Sequence, residues 1–243
     1  VRLGLGSATG LDLVTENPGI VPSTAWKKAY FRNLEDQKWY PGETPSVSIG
    51  QGALTVTPLQ VARAMAALVN GGRVLRPRLM RGVESTEGGW HYEDFKSEEG
   101  ALTGVEPSVL RIVQRGMEEV VNNPGGTGSR ARLPEELKVR AAGKTGTAQS
   151  ASADAQVALR LGDHAWYAGY APAEKPEIVV VALVEHGGHG GTTSAPLVRQ
   201  VMEAYFRKTC ETEKRHCPDP EIIEQKARKQ GTVKKPVEEP SAD

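Results

Sequence analysis

Lys144-Thr145-Gly146-Thr147 is the stretch of this 243-residue chain whose residue types and spacing could do chemistry. As a strand it would present an ammonium at Lys144 and, on a shared face, the hydroxyls of Thr145 and Thr147, since alternate strand residues point the same way. Gly146 would let another chain approach closely. Paired hydroxyls suit a peptide carboxylate, and an extended peptide can add itself to an exposed strand edge through main-chain hydrogen bonds. The Thr147 amide would then donate to the oxyanion of a tetrahedral acyl-transfer intermediate. Such a strand is one part of a serine-acylation site whose other parts are a Ser-x-x-Lys nucleophile and a Ser-x-Asn element. Here no serine has a lysine three residues on, and Ser152-Ala153-Asp154 follows the lysine strand too closely to be a separate upstream element. The sequence thus holds half of an active site.

Two other readings of the tetrapeptide compete with this one. An isolated Lys-Thr-Gly is most simply an exposed turn. Gly143-Lys144-Thr145 also looks like the end of a phosphate-binding loop, but that motif needs a glycine where Lys138 stands, which argues against a nucleotide site.

The elements that would position the strand are legible around it. Ser23 opens a short helical stretch through Tyr30. Thr57 as N-cap, Pro58 at the first helical position and Gln60 as capping-box partner start a helix that runs almost wholly apolar to Val69 and stops at Asn70-Gly71-Gly72. A helix apolar on all sides is expected to be buried, at the centre of the domain. Val74 to Tyr92 reads as strands broken by a turn at Glu84 to Gly89. Pro107 to Asn122 is a second helix with Val109, Leu110, Val113, Met117, Val120 and Val121 on one stripe. Gly125 to Pro134 is expected to be a mobile basic loop leading into the strand Val139 to Gln149. Strands Ala165 to Ala171 and Ile178 to Glu185 would form a hairpin, and Ser194 to Lys208 a helix packed on that sheet. The predicted class is α+β, an antiparallel sheet flanked by helices on both faces.

Composition bounds the rest. A hydrophobic content of 38% supports a real core in residues 1–209, while residues 210–243, rich in Lys, Glu and Pro, are expected to form a disordered or loosely helical tail. Thirty basic against 30 acidic residues leave no electrostatic footprint for nucleic acid. The longest apolar run, Ile178 to Val184, is too short to cross a bilayer. A start at Val1 suggests that an N-terminal part lies upstream. Cys210 and Cys217 could close a disulfide loop or stand as two free thiols. With His216 between them they lack the fourth ligand of a zinc site. His186 and His189 in their glycine-rich run could be a metal pair, a lipase-type oxyanion loop or a flexible turn at the rim of the site. Trp26, Trp39, Trp166 and Tyr170 suggest packing anchors rather than a sugar platform.

An ordered set of short strings lifts the functional reading. Thr9-Gly10-Leu11-Asp12-Leu13, Gly19, Pro22-Ser23, Trp26-Lys27, Trp39, Gly42-Glu43-Thr44 and Ser48-Ile49-Gly50-Gln51-Gly52 come first. Thr57-Pro58-Leu59-Gln60, Val69-Asn70-Gly71-Gly72, Gly143 to Gln149 and Trp166-Tyr167-Ala168-Gly169-Tyr170-Ala171-Pro172 follow in order. Together they resemble the penicillin-binding protein 2 family, the elongation-type class B D,D-transpeptidases, over most of residues 4–206. The resemblance implies a penicillin-binding/β-lactamase-like fold, incomplete at its N-terminus. It implies that Lys144 polarises the site, that Thr145, Gly146 and Thr147 bind the carboxylate of a stem peptide or β-lactam, and that the Thr147 N–H serves the oxyanion. The nucleophilic serine, its lysine and the Ser-x-Asn element would precede Val1, with a pedestal and an inner-membrane anchor holding the parent in the periplasm. No cofactor is implied. A membrane-embedded glycan polymerase is implied as partner. The alternatives are a non-catalytic penicillin-sensing or partner-binding domain, and a division-type or class A transpeptidase.

Overall fold

A computed structural model of the chain describes residues 2–11, 15–80, 82–92, 100–149 and 162–229. Ser152-Ala153-Asp154, Asp12-Leu13 and residues 230–243 of the expected tail lie outside the described residues. The architecture is α+β. Helices α1 (Thr24–Tyr30), α2 (Glu43–Ser48) and α3 (Pro58–Val69) come first. Short strands β1 (Arg73–Val74), β2 (Gly82–Glu84), β3 (Trp90–Tyr92) and β4 (Ala101–Leu102) follow, then helix α4 (Pro107–Asn122). The main sheet is antiparallel, in the order β5 (Ala142–Ala148), β6 (His164–Ala171), β7 (Ile178–Val184). Helices α5 (Ser194–Glu213) and α6 (Pro220–Lys229) end the described chain.

The sheet is covered on both faces. On one, Tyr167 and Ala171 of β6 pack with Val198, Met202 and Phe206 of α5, all buried. On the other, Ala142, Ala168 and Tyr170 pack with Met65 of α3 and Met117 of α4. The capping box at Thr57 and Gln60 forms as the sequence indicates. Helix α3 is nonetheless not buried all round: of its residues, Gln60, Ala64, Met65 and Ala67 are buried and the rest are partly open. In this chain the remaining apolar side of α3 lines a cleft described below.

Gln60 does more than cap. Nearly inaccessible at 1% exposure, it accepts from the Thr57 N–H at 2.9 Å and donates to Ser7 O at 2.9 Å and Pro18 O at 2.8 Å. One side chain thereby holds the irregular first segment on the helix. Gly19, with φ +66°, sits where a Cβ would lie 2.3 Å from Thr55 O and 3.1 Å from Gln60 Oε1. Glu16 organises the same segment: its carboxylate accepts from the Thr9 amide and hydroxyl and from the amides of Gly10 and Leu11. These bonds, led by the Thr9 hydroxyl, hold its carboxyl below the usual range.

Two expectations are corrected. The segment from Gly125 to Pro134 is packed rather than a mobile loop. It contains a 3₁₀ turn at Ser129–Ala131, with Ala131 fully buried and Leu133 nearly so. Alternating small apolar residues let this basic stretch bury one side. The tail, where described, is ordered: α5 runs past Lys208 to Glu213, Cys210 and Cys217 are joined in a disulfide, and α6 follows. Its attachment is polar, which is why its poverty in apolar residues misleads. Arg215 and His216 bond Glu177 at 3.0 Å each, Lys138 pairs with Asp219, and the Asp219 amide donates to Glu136 O at 2.7 Å. Burial pushes the Glu177 carboxyl up, but His216 and Arg215 outweigh it and hold it below its ordinary value.

Replacing Gln60 by leucine strands Ser7 O, Pro18 O and the Thr57 N–H at once. Since leaving a buried polar group unpaired costs about 1–3 kcal/mol, Gln60→Leu is expected to lower unfolding free energy by roughly 3 kcal/mol in urea titrations. A loss within experimental error would show that the first segment is held by other contacts.

Candidate active site

Strand β5 is an edge strand among the described residues, paired with β6 from Ala142↔Tyr170 to Ala148↔His164. In an antiparallel ladder a residue directs both its N–H and its C=O toward the neighbour or both away, alternately. The phase of β5 is fixed by its side-chain donors. Ala141 O accepts from Asn122 Nδ2 at 2.9 Å, Thr145 O from Lys144 Nζ at 2.7 Å and Thr147 O from Gln51 Nε2 at 3.2 Å, all from outside the ladder. Arg140 O, one residue out of phase, accepts instead from Ala173 N at 2.8 Å. The amides of Thr145 and Thr147 therefore point to the open edge, while those of Lys144 and Gly146 face β6.

Side chains divide the strand a second way. Lys144 projects on the side of α3 and α4, where a cleft of about 750 Å³ is lined by Val61, Met65, Leu68, Val113, Met117 and Trp166 along with β5. Thr145 and Thr147 project on the other side, into a polar pocket of about 370 Å³ shared with Thr127, Arg130 and His189. The hydroxyls of Thr127 and Thr145 are 3.0 Å apart and hydrogen-bonded. The space a Gly146 side chain would fill is taken by Trp166, whose Cβ would be 3.1 Å away. All four predicted residues thus sit on one strand, with Lys144 on the face opposite the two threonines.

The turn carrying His186 and His189 closes the far side of the pocket. Gly190 is pressed so tightly on the sheet that a Cβ would fall 2.0 Å from Trp166 O and 2.5 Å from Gly146 O, and one on Gly191 would fall 2.3 Å from Thr127 O. Gly190 O also accepts from the amides of Ser194 and Ala195 at the start of α5. His186 bonds Gly162 O through Nδ1 at 2.9 Å, and its amide donates to His164 Nδ1 at 3.1 Å. No group of metal-binding side chains exists among the described residues. Trp166 lines the cleft, whereas Tyr170 is a core residue.

Beneath the strand lies Tyr167, fully buried, its hydroxyl without a hydrogen-bond partner among the described residues. Gly143 and Gly128 make room for it: added Cβ atoms would lie 2.4 Å and 3.4 Å from its oxygen. Burial drives the Tyr167 hydroxyl far above the ordinary tyrosine range and that of Tyr170 up to about 12, so both are neutral.

Gln51 is held in place by its own loop, where its amide donates to Ser46 O at 2.9 Å. Helix α2 is fixed to α1 by the buried Lys27, which bonds Glu43 at 2.5 Å. Lys27 and Gln51 stand in strings that carry the resemblance, yet no role for either is legible in the sequence. Nor is one for Thr127 and Arg130, whose signal there is the glycine-rich run Gly125-Gly126-Thr127-Gly128.

Residues 1–203 match the family model described as the penicillin binding protein transpeptidase domain. The chain belongs to this family. Among relatives of the penicillin-binding transpeptidases, it is similar to the peptidoglycan D,D-transpeptidase MrdA of Haemophilus influenzae, 36% identical over 217 residues covering 84% of this chain and 31% of the relative. It is similar to the Pseudomonas aeruginosa PBP2 solved in complex with WCK 5153, with a TM-score of 0.66, 35% identity and coverage of 84% of this chain and 40% of that one. A third likeness is to the Helicobacter pylori PBP2 solved in complex with MreC, at a TM-score of 0.63, 29% identity and coverage of 84% and 34%. The chain spans about a third of the length of the curated relatives it matches. No described helix is long and apolar enough to cross a membrane.

The contact of Gly190 with the strand makes a direct test of how the transpeptidase pocket is held. Gly190→Ala is expected to cost about 1–3 kcal/mol, as overpacking does, and to speed amide hydrogen exchange at Gly146 and in the first turn of α5. Gly42→Ala, just before α2, where φ is −72° and a side chain meets nothing within 4 Å, should leave exchange at Gly146 unchanged. Equal exchange in both variants would mean the turn is not braced on β5.

Proposed function

We propose that the full-length parent of this chain is a peptidoglycan D,D-transpeptidase that cross-links stem peptides through a serine acyl-enzyme during cell-wall elongation. The observation that carries this reading is the phase of β5. It directs the Thr147 N–H to an open strand edge, with the two threonine hydroxyls in the polar pocket on one side of that edge and the cleft on the other. An extended stem peptide ending in D-Ala-D-Ala would add itself to that edge, its carboxylate toward Thr145 and Thr147. A serine outside this chain attacks the penultimate carbonyl, and the oxygen that becomes negative accepts from the Thr147 amide. The tetrahedral intermediate expels D-alanine, whose nitrogen takes the proton the serine gave up. A neighbouring amine then attacks the ester and restores the serine. The Lys144 ammonium, on the cleft side of the strand, is proposed to polarise the site toward the attacking serine rather than to hold the carboxylate.

The names of the relatives favour a transpeptidase over a sensing or partner-binding domain. β-Lactams are the expected inhibitors. The parent is proposed to work in the periplasm, tethered to the inner membrane, with a glycan polymerase of the elongation machinery. The H. pylori relative was solved in complex with MreC, which makes an MreC-like protein a separate expected partner. Residues 1–243 by themselves are proposed to be inactive, since no Ser-x-x-Lys occurs in them.

Incubation with a fluorescent penicillin followed by denaturing electrophoresis should label the full-length parent and leave the 243-residue chain unlabelled. A stable band from the chain alone would defeat the half-site reading. The oxyanion role is tested at one atom. Because the Thr147 amide faces away from β6, proline there removes no ladder bond. Thr147→Val should weaken binding while keeping most of the limiting acylation rate. Thr147→Pro, checked for folding by circular dichroism, should be slower still by roughly a hundredfold to a thousandfold. Equal rates in the two variants would remove Thr147 from the oxyanion hole.

A further inference from the structure

The polar pocket beside β5 has a charge the lysine strand does not supply. Thr145 and Thr147 offer neutral hydroxyls, and the Lys144 ammonium belongs to the opposite face, where it is bonded to Thr145 O at 2.7 Å. A carboxylate held by hydroxyls alone gains little over water, whereas a bond to a charged donor is roughly twice as strong. Arg130 is the residue of permanent charge that lines this pocket, beside Ser129 and Thr127 and across from His189, and no Asp or Glu lines it. Its guanidinium bonds Thr192 O weakly, at 3.4 Å through Nη1, and forms no ion pair among the described residues. The 3₁₀ turn at Ser129–Ala131 anchors it, with Ala131 buried beneath and the Ala131 amide donating to Gly128 O at 2.8 Å. Thr127, five residues after α4 ends at Asn122, meets the Thr145 hydroxyl from the same side.

We propose that Arg130 and Thr127 form the second wall of the carboxylate pocket: Arg130 as the charge partner that selects a substrate with a free carboxylate, and Thr127 as a positioning residue that orients the Thr145 hydroxyl toward it. The inference rests on the transpeptidase reading and names which residues of that site recognise the anion. Two parts of the chain, the 3₁₀ segment and the lysine strand, then act on one substrate group. The guanidinium's five donors can engage a carboxylate through two parallel bonds, which a lysine in its place could not reproduce. Exposure of Arg130 to solvent makes the attraction sensitive to salt.

The test uses the full-length parent and two probes, benzylpenicillin and its methyl ester, which differ only in the carboxylate. Acylation is followed by competition with a fluorescent penicillin. Arg130→Ala should lower the second-order acylation constant for benzylpenicillin about tenfold, the effect of one charged hydrogen bond in an exposed site, and change that for the ester by less than about twofold. Arg130→Lys should recover part of the loss, and raising salt should narrow the gap between wild type and alanine variant. Thr127→Val should raise the half-saturating concentration for benzylpenicillin while Thr127→Ser restores it. An equal loss on both probes would make Arg130 merely structural and overturn the proposal, as would no loss on either. A wild-type parent that neither probe acylates would overturn the transpeptidase reading and this inference with it. A wild type that reacts, joined to an alanine variant that still prefers the acid over the ester to the same degree, would overturn the inference alone.

Discussion

The hydrogen-bond phase of a single edge strand governs this molecule. A ladder that begins with Arg140 facing its neighbour must leave Thr145 and Thr147 facing outward, and no side chain on the strand can change that. The rest of the fold sustains the condition. Tyr167 and α5 hold the strand from one face and α3 with α4 from the other. Asn122, Lys144 and Gln51 satisfy the outward carbonyls of Ala141, Thr145 and Thr147 without covering the outward amides. Slip β5 by one residue and the threonine amides would turn into the sheet, their side chains into the apolar cleft.

The helices and the pattern of the site were legible because their signals are local. The capping box at Thr57, proline at the start of α4, and glycine or asparagine stops act within a turn of the residues they organise. The alternation of Thr145 and Thr147 is equally local. What could not be read was anything that depends on distant chain coming together. Gln60 looks like half of a capping box and is also the support of residues seven and eighteen. The 3₁₀ segment looks mobile and basic, yet Ala131 and Leu133 are buried against a helix and sheet formed later in the sequence.

Glycine shows the same division. Asn70-Gly71-Gly72 was readable as a helix stop, but Gly190 and Gly191 read as slack where they are in fact among the tightest contacts on the sheet. Their lack of side chains brings the turn against β5 and so brings His189 and Thr192 within reach of the 3₁₀ segment. Chain flexibility and close approach draw on the same residue type, and only the surroundings distinguish them.

The polar fastening of the last segment has a practical bearing. Helix α6 begins beside residues 135–138, next to the start of β5, while Thr147 lies at the other end of the strand. At about 3.4 Å per residue, those two ends are roughly 20 Å apart. A fluorophore carried on the exposed Glu221, in the first turn of α6, would therefore sit well away from Thr147 and leave the strand edge facing the solution.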